Sequence, residues 1–154
     1  MANRKLGGGP KMSDVMKAQV GGDHYSKMGM QPFEFTMANR YDPLAHTINK
    51  YVARHESKGG KADLQKAQHC AQMRLELLGV GRPPCLNVIP VRDYIEANET
   101  GTREAAILTN LHYWALGDDR PLSKSVTDAQ MCQAIVNQIG WLIDARYDNK
   151  ESDL

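Results

Sequence analysis

The sequence predicts an all-α fold, with two tandem helical hairpins and short N-terminal helices packed as a small bundle. Apolar residues recur at helical spacing: Leu44, Ile48, Tyr51 and Val52 fall at i, i+4, i+7 and i+8, which is one face of a helix. Strand-like segments are nearly absent, and the one candidate, residues 86–89, is short. The chain also partly repeats itself, which favours two copies of one helical unit.

Composition limits the function classes. The chain has 154 residues, 42% apolar and 24% charged, with a net charge of +1; this is enough to bury one core and argues against a whole-protein nucleic-acid binder. No apolar run reaches the ~20 residues of a membrane span, and the N-terminus lacks a secretory pattern. We therefore expect a protein that stays in the cell that makes it.

Cysteine and histidine usage predicts neither a disulfide scaffold nor a metal site. The three cysteines are an odd number and form no C-x-x-C pair, whereas a structural zinc site needs clustered ligands. The five histidines likewise lack the H-x-x-x-H and H-E-x-x-H spacings. No metal ligands are predicted from spacing.

The first elements are short. Residues 1–18 are predicted to form a flexible arm, with glycines at 7–9, followed by a short helix that Ser13 could cap. A second helix begins at Gln31-Pro32, because proline is tolerated in a first turn. Its expected apolar contacts come from Phe33, Phe35 and Met37.

Two longer helices follow. Pro43 is predicted to open the third helix, and Gly59-Gly60 to end it. The fourth is predicted over residues 62–78. Its inner face would carry Leu64, Ala67, Ala71, Leu75 and Leu78. Residues 79–84, with two glycines and two prolines, are typical of a linker.

Beyond the linker, the sequence pattern of the first half partly repeats. A shift of 62 residues superimposes six identical residues over positions 47–77, and Pro32 parallels Pro90. The predicted organisation is therefore an arm with a short helix (1–18), a first helical domain (19–78), a linker (79–84), a second, acidic hairpin that is a degenerate repeat (85–147), and a tail (148–154).

Charge is segregated along the chain. Residues 40–82 carry eight basic and four acidic side chains, whereas residues 83–154 carry six and eleven. On the third helix, His46, Lys50, Arg54 and Lys58 recur every four residues, without acidic partners at that spacing. Such a stripe is either a solvated face or a clamp for an anion, and a phosphate is the natural candidate.

The turn after the stripe could add backbone donors. Lys58-Gly59-Gly60-Lys61 leads into the next helix, whose N-terminus favours anions. Asp63, in the first turn of that helix, is expected to stabilise the helix dipole; its alternative role is to orient a metal ion or an attacking oxygen. A second polar cluster, Asp23-His24-Tyr25 after two glycines, is either a polar turn or part of a site.

The order of these pieces resembles the bacteriophage SaV-like domain family. The resemblance covers residues 19–78 and rests on Val20-Gly21-Gly22-Asp23-His24-Tyr25, Gln31-Pro32, Lys50-Tyr51-Val52-Ala53-Arg54, Lys58-Gly59-Gly60 and Asp63-Leu64-Gln65-Lys66-Ala67. Residues 46–49, His-Thr-Ile-Asn, depart from the family's smaller, more apolar pattern. Some members of the family are nucleotide kinases that phosphorylate dTMP and dGMP without a P-loop.

The resemblance implies a nucleoside monophosphate kinase-like protein in the cytoplasm of an infected bacterium. Phosphoryl transfer depends mostly on positioning and charge neutralisation. The implied catalytic residues are His24, Lys50, Arg54 and Asp63. The implied substrate-binding residues are Tyr25, Tyr51, Lys58, Gly59, Gly60 and Lys66. A nucleoside triphosphate is the expected phosphoryl donor, and the need for Mg²⁺ stays open because lysines can carry the countercharge.

Other functions fit the same residues. A non-catalytic protein could sequester a nucleotide or a cyclic nucleotide of host defence with the same phosphate clamps. Nucleotide pyrophosphate hydrolysis ranks lower, because no helix shows E-x-x-E spacing beside the stripe, and nucleic-acid binding ranks low given the acidic second half. A site on one short basic helix would be shallow, so a homo-oligomer is expected.

Overall fold

The computed structural model describes residues 14–17, 22–80, 85–116 and 126–149, and within these ranges the regular elements are helices, with no strand. The predicted all-α fold is confirmed. The helices are α1 (Asp14–Lys17), α2 (Pro32–Ala38), α3 (Pro43–Arg54), α4 (Lys61–Glu76), α5 (Val91–Ala97), α6 (Thr102–Leu116), α7 (Asp128–Ile143) and a C-terminal π-helix (Asp144–Asp148).

Local sequence explains where the long helices begin. Asp42 caps α3 by accepting hydrogen bonds from the amides of Leu44 and Ala45, at 2.9 and 3.0 Å. Thr127 opens α7 with a capping box shared with Gln130. Gly60 precedes α4 with φ +56°, a left-handed conformation that favours glycine.

One hydrophobic core joins both predicted hairpins. Its buried members come from helices α2 to α7 and include Phe35, Ile48, Leu64, Ile107 and Ile135. Helix α4 packs on α3 and on α7, so it connects the two halves. The rings of Phe35 in α2 and Tyr94 in α5 stack at 4.3 Å and 11° in the centre. The two halves therefore share one interior.

The internal repeat is present in the arrangement of the helices, but the number of residues that separates the two copies differs from the 62 found in the sequence. A shift of 59 residues carries the bounds of α2 onto α5 and the start of α3 onto that of α6. The same shift pairs the stacked rings of Phe35 and Tyr94, and pairs Arg40 with Glu99, which both have positive φ. The last helices correspond only at a longer shift, because the connection before α7 is longer than the one before α4.

Two asparagines tie the halves together in a reciprocal way. Asn39, after α2, accepts hydrogen bonds from the amides of Val88 and Ile89 and donates to the Ile89 carbonyl. Asn98, after α5, accepts from the amide of Met30 and donates to its carbonyl. Each residue therefore holds the segment that leads into the other half's short helix.

Three local expectations had different outcomes, and only the core contacts expected of Phe33 and Met37 were wrong. Residues 86–89 form no strand; their backbone is held by Asn39 instead. Phe33 and Met37 are 52% and 74% exposed, so Phe35 alone of the three apolar residues of α2 reaches the core. The helix predicted after Ser13 is described only over four residues, and most of the predicted arm lies outside the described residues.

No helix in the described ranges combines the length and apolar character needed to span a membrane.

Candidate functional site

The predicted site residues gather around Arg54, the last residue of α3. Its Nε donates to Asp63 Oδ2 at 2.9 Å and its Nη2 donates to Asp63 Oδ1 at 3.2 Å. Its Nη1 donates to the Tyr25 hydroxyl at 3.0 Å. Burial opposes the charge of Arg54, but the hydrogen bonds to Asp63 and Tyr25 outweigh it and raise the pKa of the guanidinium.

Asp63 therefore supplies a counter-anion to the basic stripe, which has no acidic partner at helical spacing on α3. The sequence places it in the first turn of α4, as expected, but its side chain is only 2% exposed and faces Arg54. A bidentate Arg–carboxylate pair of this kind is strong and directional. Both carboxylate oxygens are engaged, so the geometry favours a positioning role over orientation of a metal ion or an attacking oxygen.

The Gly59-Gly60 turn is also engaged by the chain itself. The Gly59 amide donates to Asp63 Oδ2 at 3.1 Å, and the Gly60 amide donates to the His55 carbonyl at 2.8 Å. A Cβ at Gly59 would overlap the Asp63 carboxylate, so glycine is required for this close approach. The predicted use of these amides as free phosphate donors was wrong, because Asp63 is the anion that the turn binds.

Three cations surround the ring of Tyr51. The Lys50 Nζ lies 4.6 Å from the ring centroid, Arg54 Cζ lies 4.8 Å away, and Lys66 Nζ from α4 lies 5.4 Å away. Cation–π attraction offsets part of the mutual repulsion of these charges. Among the described residues, no carboxylate lies within ion-pair distance of either lysine. We call Lys50, Tyr51, Arg54 and Lys66 the ring cluster.

The basic stripe predicted on α3 does not include all four of its predicted residues. Helix α3 ends at Arg54, so Lys58 lies in the following turn with an exposed side chain. His46 instead stacks on Phe33 at 4.4 Å and shares a 2.6 Å hydrogen bond with the Thr36 hydroxyl. Burial, together with the charge of Lys50, lowers the pKa of His46.

His24 and Tyr25 join the site from the turn before α2. Their rings contact each other at 4.2 Å, and Tyr25 reaches Arg54. Burial, followed by the nearby charges of Lys58 and Arg54, lowers the pKa of His24. The rings of Tyr25 and Tyr51 already contact protein groups, so neither is presented as an open stacking platform for a base.

A second group of titratable residues, which sequence reasoning missed, lies on the other side of the α3–α4 turn. His55 is buried, and its Nε2 lies 2.9 Å from Glu104 Oε1 while its Nδ1 lies 2.7 Å from the Tyr147 hydroxyl. The hydrogen bond from His55 lowers the pKa of Glu104. No sequence motif connects these residues, because they lie 49 and 92 positions apart.

A cavity of about 290 Å³ opens beside this second group. His24, Val52, His55, Glu56 and Glu104 are among its lining residues. His24 thus links the cavity with the surroundings of Arg54.

No family model, curated protein or solved structure matches this chain. The fold and the geometry of the site therefore stand on the chain's own residues. The predicted homo-oligomer and the resemblance to SaV-like domains stay predictions.

Proposed function

We propose that this protein binds a nucleotide through its phosphate groups at the ring cluster. The observation that carries the proposal is the convergence of three cations on one tyrosine ring with a carboxylate partner for only one of them. Two lysines gathered from different helices, without an acidic partner in the described chain, favour binding of an anion that brings at least two negative charges.

In this proposal the residues have different roles. Lys50 and Lys66 contact the phosphate oxygens as point charges. Tyr51 holds the cations together, and Arg54 has two of its five N–H groups left after its bonds to Asp63 and Tyr25. Asp63 and Gly59 fix the position of Arg54. The resemblance to SaV-like domains supports a deoxynucleotide such as dTMP or dGMP as the ligand.

The binding test uses calorimetric titration of dTMP, dGMP and inorganic phosphate into the full chain. We expect Lys50→Gln and Lys66→Gln each to weaken nucleotide binding about tenfold, the scale of one charge-assisted hydrogen bond. Arg92→Gln on α5, at an exposed position outside the ring cluster, removes the same charge and serves as the matched control. Equal affinity of the wild type and both lysine variants would refute the proposal.

Phosphoryl transfer is the second candidate, and His24 favours it. Burial, followed by the nearby charges of Lys58 and Arg54, lowers its pKa and so favours the neutral imidazole, and a neutral imidazole is able to accept a proton from an attacking group. The protein is incubated with dTMP or dGMP and a labelled nucleoside triphosphate, then denatured. Recovery of labelled diphosphate, lost in His24→Gln, supports a kinase; recovery of intact, stoichiometric ligand supports sequestration.

A further inference from the structure

We propose that His55, Glu56 and Glu104 form a binding site for one divalent first-row cation of the Zn²⁺ or Mn²⁺ type at the wall of the 290 Å³ cavity. This site is separate from the ring cluster, and the inference does not depend on nucleotide binding. One ligand atom from each of the three residues falls within 4.8 Å of the others. A single cation can therefore reach all three.

An unsatisfied buried oxygen points to a missing ligand. Glu104 is 5% exposed, and its Oε2 has no hydrogen-bond partner among the described residues. A buried carboxylate oxygen without a partner costs free energy. This oxygen lies so close to Gly101 that a Cβ there would come within 2.7 Å of it, so glycine is required at this position. Glu104 also lines the cavity, through which water could complete the coordination of a metal ion.

The protein already places a positive charge beside the two proposed carboxylate ligands. Arg146, from the C-terminal π-helix, donates from Nη1 to Glu56 Oε1 at 2.9 Å, and its Nη2 lies 3.7 Å from Glu104 Oε1. The Arg146 side chain is 44% exposed, so it can swing into solvent. A metal ion would take over the neutralisation of both carboxylates and displace this guanidinium.

The ligand set selects the class of cation. One imidazole nitrogen with two carboxylate oxygens suits Zn²⁺ or Mn²⁺, whereas Mg²⁺ prefers oxygen ligands and retains its water. On binding, His55 Nε2 would exchange its hydrogen bond with Glu104 for the metal. His55 Nδ1–H would then donate to the Tyr147 hydroxyl, which lies 2.7 Å away, as metal-bound histidines commonly do.

The test titrates Mn²⁺, Zn²⁺ and Mg²⁺ separately into the full chain by calorimetry. We expect one Mn²⁺ or Zn²⁺ per chain and much weaker Mg²⁺ binding. Glu56→Gln, at an exposed position, should weaken binding about tenfold or more, and Glu104→Gln should abolish it. Arg146→Gln should tighten it several-fold, because the competing charge is removed.

Two controls separate this site from others. Glu96→Gln, an exposed carboxylate on α5, should leave binding unchanged, as should Lys50→Gln in the ring cluster. Zn²⁺ bound at thiols would be insensitive to both glutamate variants. Unchanged binding in Glu56→Gln and Glu104→Gln, or no Mn²⁺ or Zn²⁺ binding even in Arg146→Gln, would overturn the inference.

Discussion

At the scale of single residues, Asp63 organises the basic region. Its buried carboxylate accepts hydrogen bonds from Arg54 and from the Gly59 amide. We expect Asp63→Asn to lower the free energy of unfolding by about 3 kcal/mol, because it leaves a largely buried guanidinium without its counter-charge. Urea unfolding at pH 7 measures this loss.

Glu76→Gln at the end of α4 is the matched control for Asp63→Asn. This carboxylate is exposed, so its variant should change stability by less than about 0.5 kcal/mol. An equally small effect of Asp63→Asn would show that the pair with Arg54 contributes little, and that the positioning role assigned to Asp63 is wrong.

His112 on α6 makes stability depend on pH. It is buried between the Tyr41 hydroxyl and Asn87 Oδ1, and burial lowers its pKa to about 4. The folded state therefore binds fewer protons than the unfolded state below pH 6.5, and stability falls as the pH drops from 6.5 towards 4. By pH 5 the loss reaches about 2 kcal/mol.

Urea unfolding between pH 7 and 5 tests the role of His112. The lowered pKa values of His24 and His46 act in the same direction, so the quantity to compare is the difference between the wild type and His112→Gln. The variant should lose about 2 kcal/mol less over this range. Parallel curves for the two proteins would contradict the prediction.

At the scale of elements, Asn39 and Asn98 hold the segments that lead into the short helices α5 and α2. Asn39 is fully buried and bonds three backbone groups, whereas Asn98 is half-buried and bonds two. We expect Asn39→Ala to lower the free energy of unfolding by about 2–4 kcal/mol and Asn98→Ala by about 1–2 kcal/mol, because each leaves backbone groups without partners.

Thermal and urea unfolding of the two alanine variants measure these costs. Gln72→Ala on the exposed face of α4 is the control, and should be neutral or slightly stabilising because alanine is the better helix former. If Asn98→Ala lowered the free energy of unfolding more than Asn39→Ala, the stability contributed by each asparagine would not follow the number of backbone groups that it bonds.

Local chemistry explains which elements could be predicted. Prolines at 32 and 43 and the glycines at 59–60 were sufficient to place the starts of α2, α3 and α4 within a residue or two, because their backbone preferences act on their immediate neighbours. The end of α3 was predicted too late, since this helix stops at Arg54 and not at Gly59-Gly60. The backbone conformation of residues 86–89 could not be predicted, because it depends on Asn39, about fifty residues away.

In the candidate site too, several residues could be predicted from the sequence but their contacts could not. Arg54, Asp63 and Tyr25 were all singled out from the sequence, but their mutual contacts were not, because these depend on how α3, α4 and the turn before α2 meet. His55 and Glu104 were missed altogether: a histidine at a helix end and a glutamate in a first turn are ordinary features until the fold brings them to 2.9 Å.

At the scale of the whole molecule, charge that is segregated along the chain is partly paired in space. Acidic residues of the second half reach the basic half: Asp148 accepts from Lys61 at 2.6 Å, and Glu104 meets His55. Lys50 and Lys66 have no such partner in the described ranges. The asymmetry of the sequence therefore persists in the fold at the ring cluster, where the anion is proposed to bind.

A shared core also makes a prediction about unfolding. Leu64 in α4 and Ile107 in α6 belong to different predicted hairpins but to one buried cluster. Two-state behaviour is expected when elements bury each other's apolar faces, so calorimetry should show one transition. Leu64→Ala and Ile107→Ala should each shift that same transition downwards, at a cost of about 2–5 kcal/mol. Exposed Gln72→Ala is again the control. Two resolved transitions, with each variant moving only its own, would mean that the hairpins are independent domains, and that the Phe35–Tyr94 stack between them contributes little to stability.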